Sequence, residues 1–265
     1  MIEFSHSGAL GDILYSLPTI RAMGGGHLTL ILNNPADPPI EEPTDDWVLL
    51  APTAGEFIRP LLEIQDYIHG VSLVEFKDYE PDPDRVDLDA WRKSPVRFWD
   101  GIPLAHRYVF VTGLPVDAES AYVHVDPFVD TEPYVVQQLT RRYRGGSRVS
   151  HDALASTPHK LVFVGWPHEF ETLAAPGAVY RPVSNMVEMA SLIAGAVCFV
   201  GNQSCGWALA QGMKTPRVLE GFGRSLCDGM KPGPNGVACL VQAHYDDALR
   251  RFGVLPEDFG LMHEG

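Results

Sequence analysis

No apolar run in the chain approaches the roughly 18 consecutive residues of a transmembrane helix, so no helical membrane span is expected. The opening Met1-Ile2-Glu3-Phe4 lacks the basic stretch and long apolar segment of a secretory leader. Cysteine is scarce, with Cys198, Cys205, Cys227 and Cys239 all in the last third and none in a CxxC pair. Such spacing reads as reduced, buried thiols of a cytoplasmic protein, or of a host cytoplasm if the gene is a phage's. A zinc site on Cys205, Cys227 and nearby histidines fits no standard spacing, and no metal is expected. Basic residues are also short: 20 Lys and Arg stand against 34 Asp and Glu, a formal charge of −14. That balance excludes a large nucleic-acid interface, which needs clustered cations to neutralise phosphates. It leaves room for one basic pocket, and Thr140-Arg141-Arg142-Tyr143-Arg144 is the dense basic cluster available. There is no short-period repeat, no GxxxxGK[ST] phosphate loop and no complete GxGxxG fingerprint.

What is present is an ordinary globular composition, 45% hydrophobic and 20% charged over 265 residues. That length suits two domains and a cleft between them. Ile2–Phe4 begins a strand, Ser5 to Gly11 is a small-residue loop, and Asp12 stands where a helix would start. Ile13, Leu14, Leu17 and Ile20 follow at helical spacing, with Pro18 as a kink. Leu28–Leu32 is a continuous apolar run, the mark of a buried parallel strand. Beyond it the pattern predicts a loop over 33–46, a helix over 55–69, a strand over 71–76 and a polar loop over 79–89. A helix over 106–112 and a strand over 122–125 follow. An acidic, irregular stretch from Asp126 to Glu132 reads as the interdomain linker. The βα pattern then restarts, with strands over 134–139, 160–165, 197–201, 217–220 and 236–241. Helices are predicted over 168–174, 186–194, 204–211 and 244–252. The expected architecture is therefore α/β, two Rossmann-like domains at 1–128 and 129–265 with parallel sheets facing a central cleft.

Four short stretches carry chemistry. In Ser7-Gly8-Ala9-Leu10-Gly11-Asp12 the glycines permit close approach to the backbone. Asp12 either caps the helix or serves as a general base aimed into the cleft, and from spacing alone the cap suffices. The turn Gly201-Asn202-Gln203-Ser204-Cys205-Gly206 joins an apolar strand to a helix. Unpaired N–H groups at such a turn form an anion site, or one of its polar residues is a plain cap. Arg141, Arg142 and Arg144 follow a strand and either reach a diphosphate or remain solvated. Finally, in Gly165-Trp166-Pro167-His168-Glu169, Trp166 lines a base or sugar pocket or forms a hydrophobic lid. Glu169 holds hydroxyls or serves as a helix N-terminal carboxylate.

Taken in order, these residues resemble the heptosyltransferase-like glycosyltransferases of family 9, which have the GT-B architecture. The matching pieces are Gly11-Asp12 with Leu17-Pro18, the Thr140–Arg144 turn, and Leu192-Ile193-Ala194-Gly195-Ala196 leading into Phe199–Ser204. Ala208–Gly212 and Thr215–Glu220 follow. The resemblance is specific over 134–220 and thin between 33 and 130; the chain is short for the family, which implies a compact, phage-like member. It implies inverting, metal-independent transfer of a sugar from a nucleotide diphosphate, with no further cofactor. Asp12 maps onto the family's base, and Arg141 or Arg142 would neutralise the leaving group. The donor-binding set is Gly11, Thr140, Arg141, Arg142, Trp166, Glu169, Met186, Asn202, Gln203, Ser204 and Cys205. The loop departs from the family's Asp-Ser/Thr-Gly followed by His, which puts heptose and a lipopolysaccharide acceptor in doubt.

The partners expected are a nucleotide-sugar donor and a hydroxyl acceptor: a glycan, a small molecule or a hydroxylated base in DNA. A nucleotide or nucleotide-sugar binding module without transfer activity is the alternative from another class. An NAD-dependent oxidoreductase is disfavoured because the glycine fingerprint is incomplete and no ribose-binding acid sits at the expected distance.

Overall fold

The computed structural model describes residues 1–36, 47–93, 102–141, 149–221 and 232–259. Arg142, Arg144 and Cys227, and residues 37–46 of the loop expected over 33–46, lie outside them. Two sheets organise the chain. In the first lobe, β1 (Ile2–His6) leads into α1 (Leu10–Ala22), then β2 (Gly26–Leu32), α2 (Pro52–Glu63) and β3 (Ile68–Glu75). A two-residue strand β4 (Val86–Asp87), a 3-10 turn Ala90–Lys93 and two single-turn helices, α3 (Leu104–Arg107) and α4 (Val109–Thr112), complete it. The strand order is β3-β2-β1-β4, every pair parallel. The second lobe runs β5 (Tyr134–Gln138), β6 (Lys160–Phe163), α5 (Pro167–Leu173), β7 (Val179–Tyr180) and α6 (Met186–Gly195). It continues through β8 (Cys198–Gly201), α7 (Cys205–Met213), β9 (Arg217–Glu220), β10 (Gly236–Cys239) and α8 (Gln242–Arg251). Its order is β10-β9-β8-β5-β6-β7, again all parallel.

Strand order reverses between β1 and the edge strand β4 in the first sheet, and between the central pair β5 and β8 in the second. Where strand order reverses, the helices that follow the two strands leave on opposite faces and open a crevice at the carboxyl ends. The apolar runs that form these strands are buried on both faces, as Leu28, Leu30, Val135, Val136, Phe199 and Val200 are. One cluster of buried apolar side chains is continuous through both lobes, from Phe4 and Leu28 to Phe199 and Trp207.

Several expectations need correction. The helix predicted over 55–69 ends at Glu63, and Ile68 and His69 already belong to β3. The reversal is made by Gln65, whose N–H donates to Leu62 O and whose carbonyl accepts from Ile68 N–H, both at 3.0 Å. The polar loop over 79–89 contains β4, which pairs Val86 with Phe4 and Asp87 with Ser5; two residues are too few for a periodic signal. The helix over 106–112 breaks at Tyr108. The strand over 122–125 joins neither sheet. Instead, the Tyr122 and Val123 N–H groups both donate to Gly212 O, at 2.9 and 3.3 Å, and His124 N–H donates to Gln65 Oε1. This segment straps the lobes together, and its apolar residues are buried by tertiary contact rather than by a sheet. Asp12 is not the helix cap: α1 begins at Leu10 after Ala9, so Asp12 sits in the first turn.

Candidate active site

The first polar cluster lies at the β1/β4 crevice. Arg92, in the 3-10 turn after β4, donates from a terminal guanidinium nitrogen to Asp12 Oδ2 at 2.7 Å and from Nε to Asp89 Oδ1 at 3.1 Å. Its guanidinium lies 4.5 Å above the Trp91 ring. Asp89 accepts from the Ser7 N–H at 2.5 Å and from Ser7 Oγ at 2.8 Å, while Ser7 Oγ accepts from Asn34 Nδ2 at 2.8 Å. Burial alone would raise the Asp89 carboxyl, but Arg92 and the two Ser7 hydrogen bonds pull the other way, and it is held below its ordinary range.

The proton on His6 follows from its partners. Nδ1 accepts from Gly8 N–H at 2.8 Å, which leaves Nε2 to donate to Tyr108 Oη at 3.0 Å. With the proton there, the 3.4 Å approach of Nδ1 to Asp89 is no hydrogen bond, and Arg92 and Ser7 supply the pull on Asp89. Tyr108 Oη donates in turn to the Asp12 carbonyl at 2.8 Å. Burial, then the nearby Asp12, pushes the Tyr108 phenol well above its ordinary value, so it stays a donor. Burial would make the Arg92 guanidinium easier to deprotonate, but the Asp12 and Asp89 carboxylates reverse this and fix its charge. Gly8 is required here, because a Cβ would fall 2.5 Å from His6 Cε1 and 2.9 Å from Asp12 Cβ.

The second cluster lies at the β5/β8 crevice. Gln138, the last residue of β5, reaches over the start of α7, where its Oε1 accepts from Ser204 Oγ and from Gly206 N–H, both at 2.9 Å. Ser204 is the cap of α7, accepting from Trp207 N–H at 3.3 Å. The Asn202 side chain is wholly buried and spans to the segment just past β5, accepting from Thr140 N–H at 3.0 Å and donating to Thr140 O at 2.7 Å. Gln203 keeps a buried Oε1 without a hydrogen-bond partner. Arg141 is exposed and makes one long contact, 3.5 Å to Thr172 Oγ1. At the adjacent end of β6, Gly165 takes φ 143°, open to glycine, and Trp166 behind it is 67% exposed.

The two clusters share one end of the molecule. Arg21, in the last turn of α1, donates to Ala121 O, and Lys214, just past α7, donates to Ala118 O. Tyr15, in the second turn of α1, and Gln211, in the last turn of α7, join the two helices at 2.7 Å. Helices tied to the same short segment at their C-terminal ends run side by side in one direction. The first turns of α1 and α7, carrying Asp12 and Cys205, therefore open toward the same cleft.

The expected residues fare unevenly. Thr140, Arg141, Asn202, Gln203, Ser204 and Cys205 come together at the β5/β8 crevice, while Gly11 and Asp12 lie in the first turn of α1, where Asp12 meets Arg92. Met186 does not belong to the set: it is fully buried in the apolar core, where it packs α6. The Asn202 amide is committed to Thr140, so it shapes the turn rather than offering a free group. The Glu169 carboxylate is buried and accepts from Trp166 N–H at 3.2 Å, the helix N-terminal role rather than a hydroxyl clamp. The helix start offers fewer open N–H groups than expected, since Gln138 and Ser204 take those of Gly206 and Trp207. Burial pushes the Cys205 thiol up, against a Gln138 contact at 3.9 Å. His6, Asp89, Arg92, Tyr108 and Gln138 are not singled out by the sequence, and Ser7 figures there only as the start of the glycine loop. The one available signal was Asp89 and Arg92 directly after a possible short strand. Among the described residues no group of three or more His, Cys, Asp and Glu side chains is arranged to hold a metal ion, and no helix is long and apolar enough to cross a membrane.

Two parallel sheets, each with its polar crevice at the strand reversal and both opening on one cleft, define a GT-B fold. Solved structures of family 9 glycosyltransferases share it. A family 9 glycosyl transferase from Veillonella parvula superposes with a TM-score of 0.59 at 11% identity, over 97% of this chain and 90% of that one. The E. coli heptosyltransferase WaaC, solved with ADP, gives 0.60 at 13% identity over 95% and 98%. The iron-containing dodecameric glycosyltransferase TibC from enterotoxigenic E. coli gives 0.57 at 15% identity over 89% of this chain, which spans 63% of TibC. No family model matches the sequence, and no curated protein aligns with it.

Proposed function

We propose that this protein is a glycosyltransferase that moves a sugar from a nucleotide diphosphate donor to a hydroxyl acceptor. The observation that carries the reading is the placement of both polar clusters at the strand-reversal crevices of their sheets, with α1 and α7 aligned across one cleft. In open parallel sheets that crevice is where ligands bind. The β5/β8 crevice takes the donor: exposed Arg141 lies beside it, and exposed Trp166 offers a ring face for a base. Asp12 faces it with Oδ2 held by Arg92 and a side chain 21% exposed, the posture of a base for the acceptor hydroxyl. Arg141 would stabilise the leaving diphosphate without a metal, and attack opposite the leaving group would invert the anomeric centre. WaaC binds ADP, and TibC has been solved with ADP-D-beta-D-heptose, which makes an adenosine diphosphate sugar the first donor to try.

Binding without transfer is a second reading, favoured by one observation: Gln138 and Ser204 already occupy two N–H groups at the start of α7. One experiment separates the readings. The protein is melted with ADP, GDP, UDP, TDP and CMP, then the responding nucleotide's sugar is tested for nucleotide release with hydroxyl acceptors. A nucleotide at about 100 times its dissociation constant stabilises by roughly 2.7 kcal/mol, a rise of roughly 5–10 °C. Transfer predicts a shift lost in Arg141→Ala, and turnover lost in Asp12→Asn with the nucleotide shift retained. A shift without turnover on any acceptor leaves the binding reading, and no shift with any nucleotide overturns both.

A further inference from the structure

The geometry points to Arg92 and Asp89 as a positioning pair that holds the Asp12 carboxylate in its working orientation. This rests on the reading of Asp12 as the base. Asp12 is on the first turn of a helix, where its side chain would otherwise rotate freely, and a reacting group gains most when held within about 0.5 Å of its productive place. Arg92 supplies the hold through one terminal nitrogen at 2.7 Å, leaving Asp12 Oδ1 without a partner among the described residues.

Arg92 is itself fixed on two sides. Trp91 lies beneath the guanidinium, and Asp89 takes Nε at 3.1 Å. Asp89 is anchored to the end of β1 through both the N–H and the hydroxyl of Ser7. The chain of contacts therefore runs from a buried strand to the base. A lysine could not replace Arg92, because a point charge lacks the fork that serves two carboxylates at once. Two carboxylates share one guanidinium, so the cluster stays net negative and Asp12 is oriented without being neutralised. Asp89 thus has two tasks, aiming Arg92 and balancing it.

The test is a double-mutant cycle read by nucleotide release from the nucleotide sugar of the preceding assay, under single-turnover conditions. Arg92→Gln and Asp89→Asn are each expected to lower the rate roughly 10- to 100-fold with donor affinity unchanged. If they act through Asp12, each should cost less than about 2-fold in an Asp12→Asn background, since residues working as a unit are not additive. Arg92→Lys should recover little, and Ser7→Ala, which keeps the backbone donor to Asp89, should fall between wild type and Asp89→Asn. Melting curves with and without nucleotide certify each variant as folded; if Asp89→Asn fails to fold, Ser7→Ala and Arg92→Gln carry the test. Additive losses in the Asp12→Asn background, full activity in Arg92→Gln, or a loss confined to donor affinity would overturn the proposal while leaving the glycosyltransferase reading intact. Absence of wild-type turnover would count against that reading instead.

Discussion

Tyr15 in the second turn of α1 donates its hydroxyl to Gln211 Oε1 in α7 at 2.7 Å, a buried hydrogen bond that ties one lobe to the other. Burial pushes the phenol well above its ordinary value, so it remains a donor across the accessible pH range. Around it the lobes share one apolar core, and the 117–128 segment is hydrogen-bonded to both. Closure of a cleft by swinging such lobes would expose this core, so the cleft is held by packing rather than left open on a free hinge.

Tyr15→Phe should therefore destabilise the whole chain and not one lobe. Removing one partner of a buried hydrogen bond costs about 1–3 kcal/mol. The expected result is a lower urea midpoint with tryptophan fluorescence and far-ultraviolet circular dichroism still transiting together. Two separated transitions, in wild type or variant, would contradict the shared core.

Much of this arrangement was legible in the sequence, and the limits have physical reasons. Leu28–Leu32 and Val197–Gly201 announce themselves because a strand buried on both faces must be apolar throughout. The turn at 201–206 could be placed because a strand end and a helix cap bracket it. β4 and the strap at 122–124 were missed or misread because their partners are distant in sequence: Val86 pairs with Phe4, and Tyr122 with Gly212. The same distance hid Asp89, Arg92 and Tyr108 from Asp12. Met186 shows the converse, since an apolar residue at the start of a helix looks the same whether it faces a ligand or the core.

Two glycines beside Asp12 should respond in opposite ways. Gly8→Ala places a methyl 2.5 Å from His6 Cε1 and 3.0 Å from an Arg92 nitrogen, so the cluster must shift. Overpacking of this kind costs about 1–3 kcal/mol, and activity should fall with stability. At Gly11 a Cβ meets nothing within 4 Å, and the residue is inside α1. Gly11→Ala should add up to about 1 kcal/mol from helix propensity. If activity nevertheless drops in that more stable variant, the space in front of Gly11 is where a substrate lies. Thermal melts and turnover on the same samples decide between these outcomes.

Asn202→Ala should behave as a structural change. The buried amide holds both backbone groups of Thr140, and its loss leaves a donor and an acceptor unpaired, at roughly 1–3 kcal/mol each. Arg141→Ala, by contrast, should leave the melt of the free protein within about 0.5 kcal/mol, as an exposed side chain does, and remove the nucleotide shift. Chemical denaturation without ligand, followed by nucleotide titration, distinguishes the two. A normal free-protein stability for Asn202→Ala would mean that the turn is held by something else.

Asp89 sets an acid limit on stability. Its carboxyl titrates below the ordinary value of 3.8 in the folded chain, so the folded state binds fewer protons than the unfolded one as acid is added. The stabilisation is complete above the unfolded value and is lost as pH falls through the folded one. The urea midpoint of wild type should therefore decline more steeply than that of Asp89→Asn below about pH 4. Parallel declines would show that the Ser7 and Arg92 contacts contribute nothing differential to the carboxylate.

Lys214 makes the opposite prediction at alkaline pH. Burial first, then the charge of Arg217, lowers its ammonium from 10.5 to about 8, while its Nζ stays bonded to Ala118 O beneath the joined ends of α1 and α7. Between those two values the unfolded chain holds a proton that the folded chain has released, so this residue makes stability rise with pH in that window. Thiols raised by burial, Cys198 and Cys239, act with the contrary sign, because they stay protonated in the folded state where the unfolded chain ionises. The wild-type curve is thus a sum, and the informative quantity is the difference between wild type and Lys214→Gln. That difference should move in favour of wild type between pH 7.5 and pH 9.5, by an amount reduced by the solvent that still reaches the half-buried side chain. A difference that is flat across the range would place the Lys214 ammonium in water in both states, and the seam beneath the two helices would then be more open than the contacts with Ala118 and Tyr122 require.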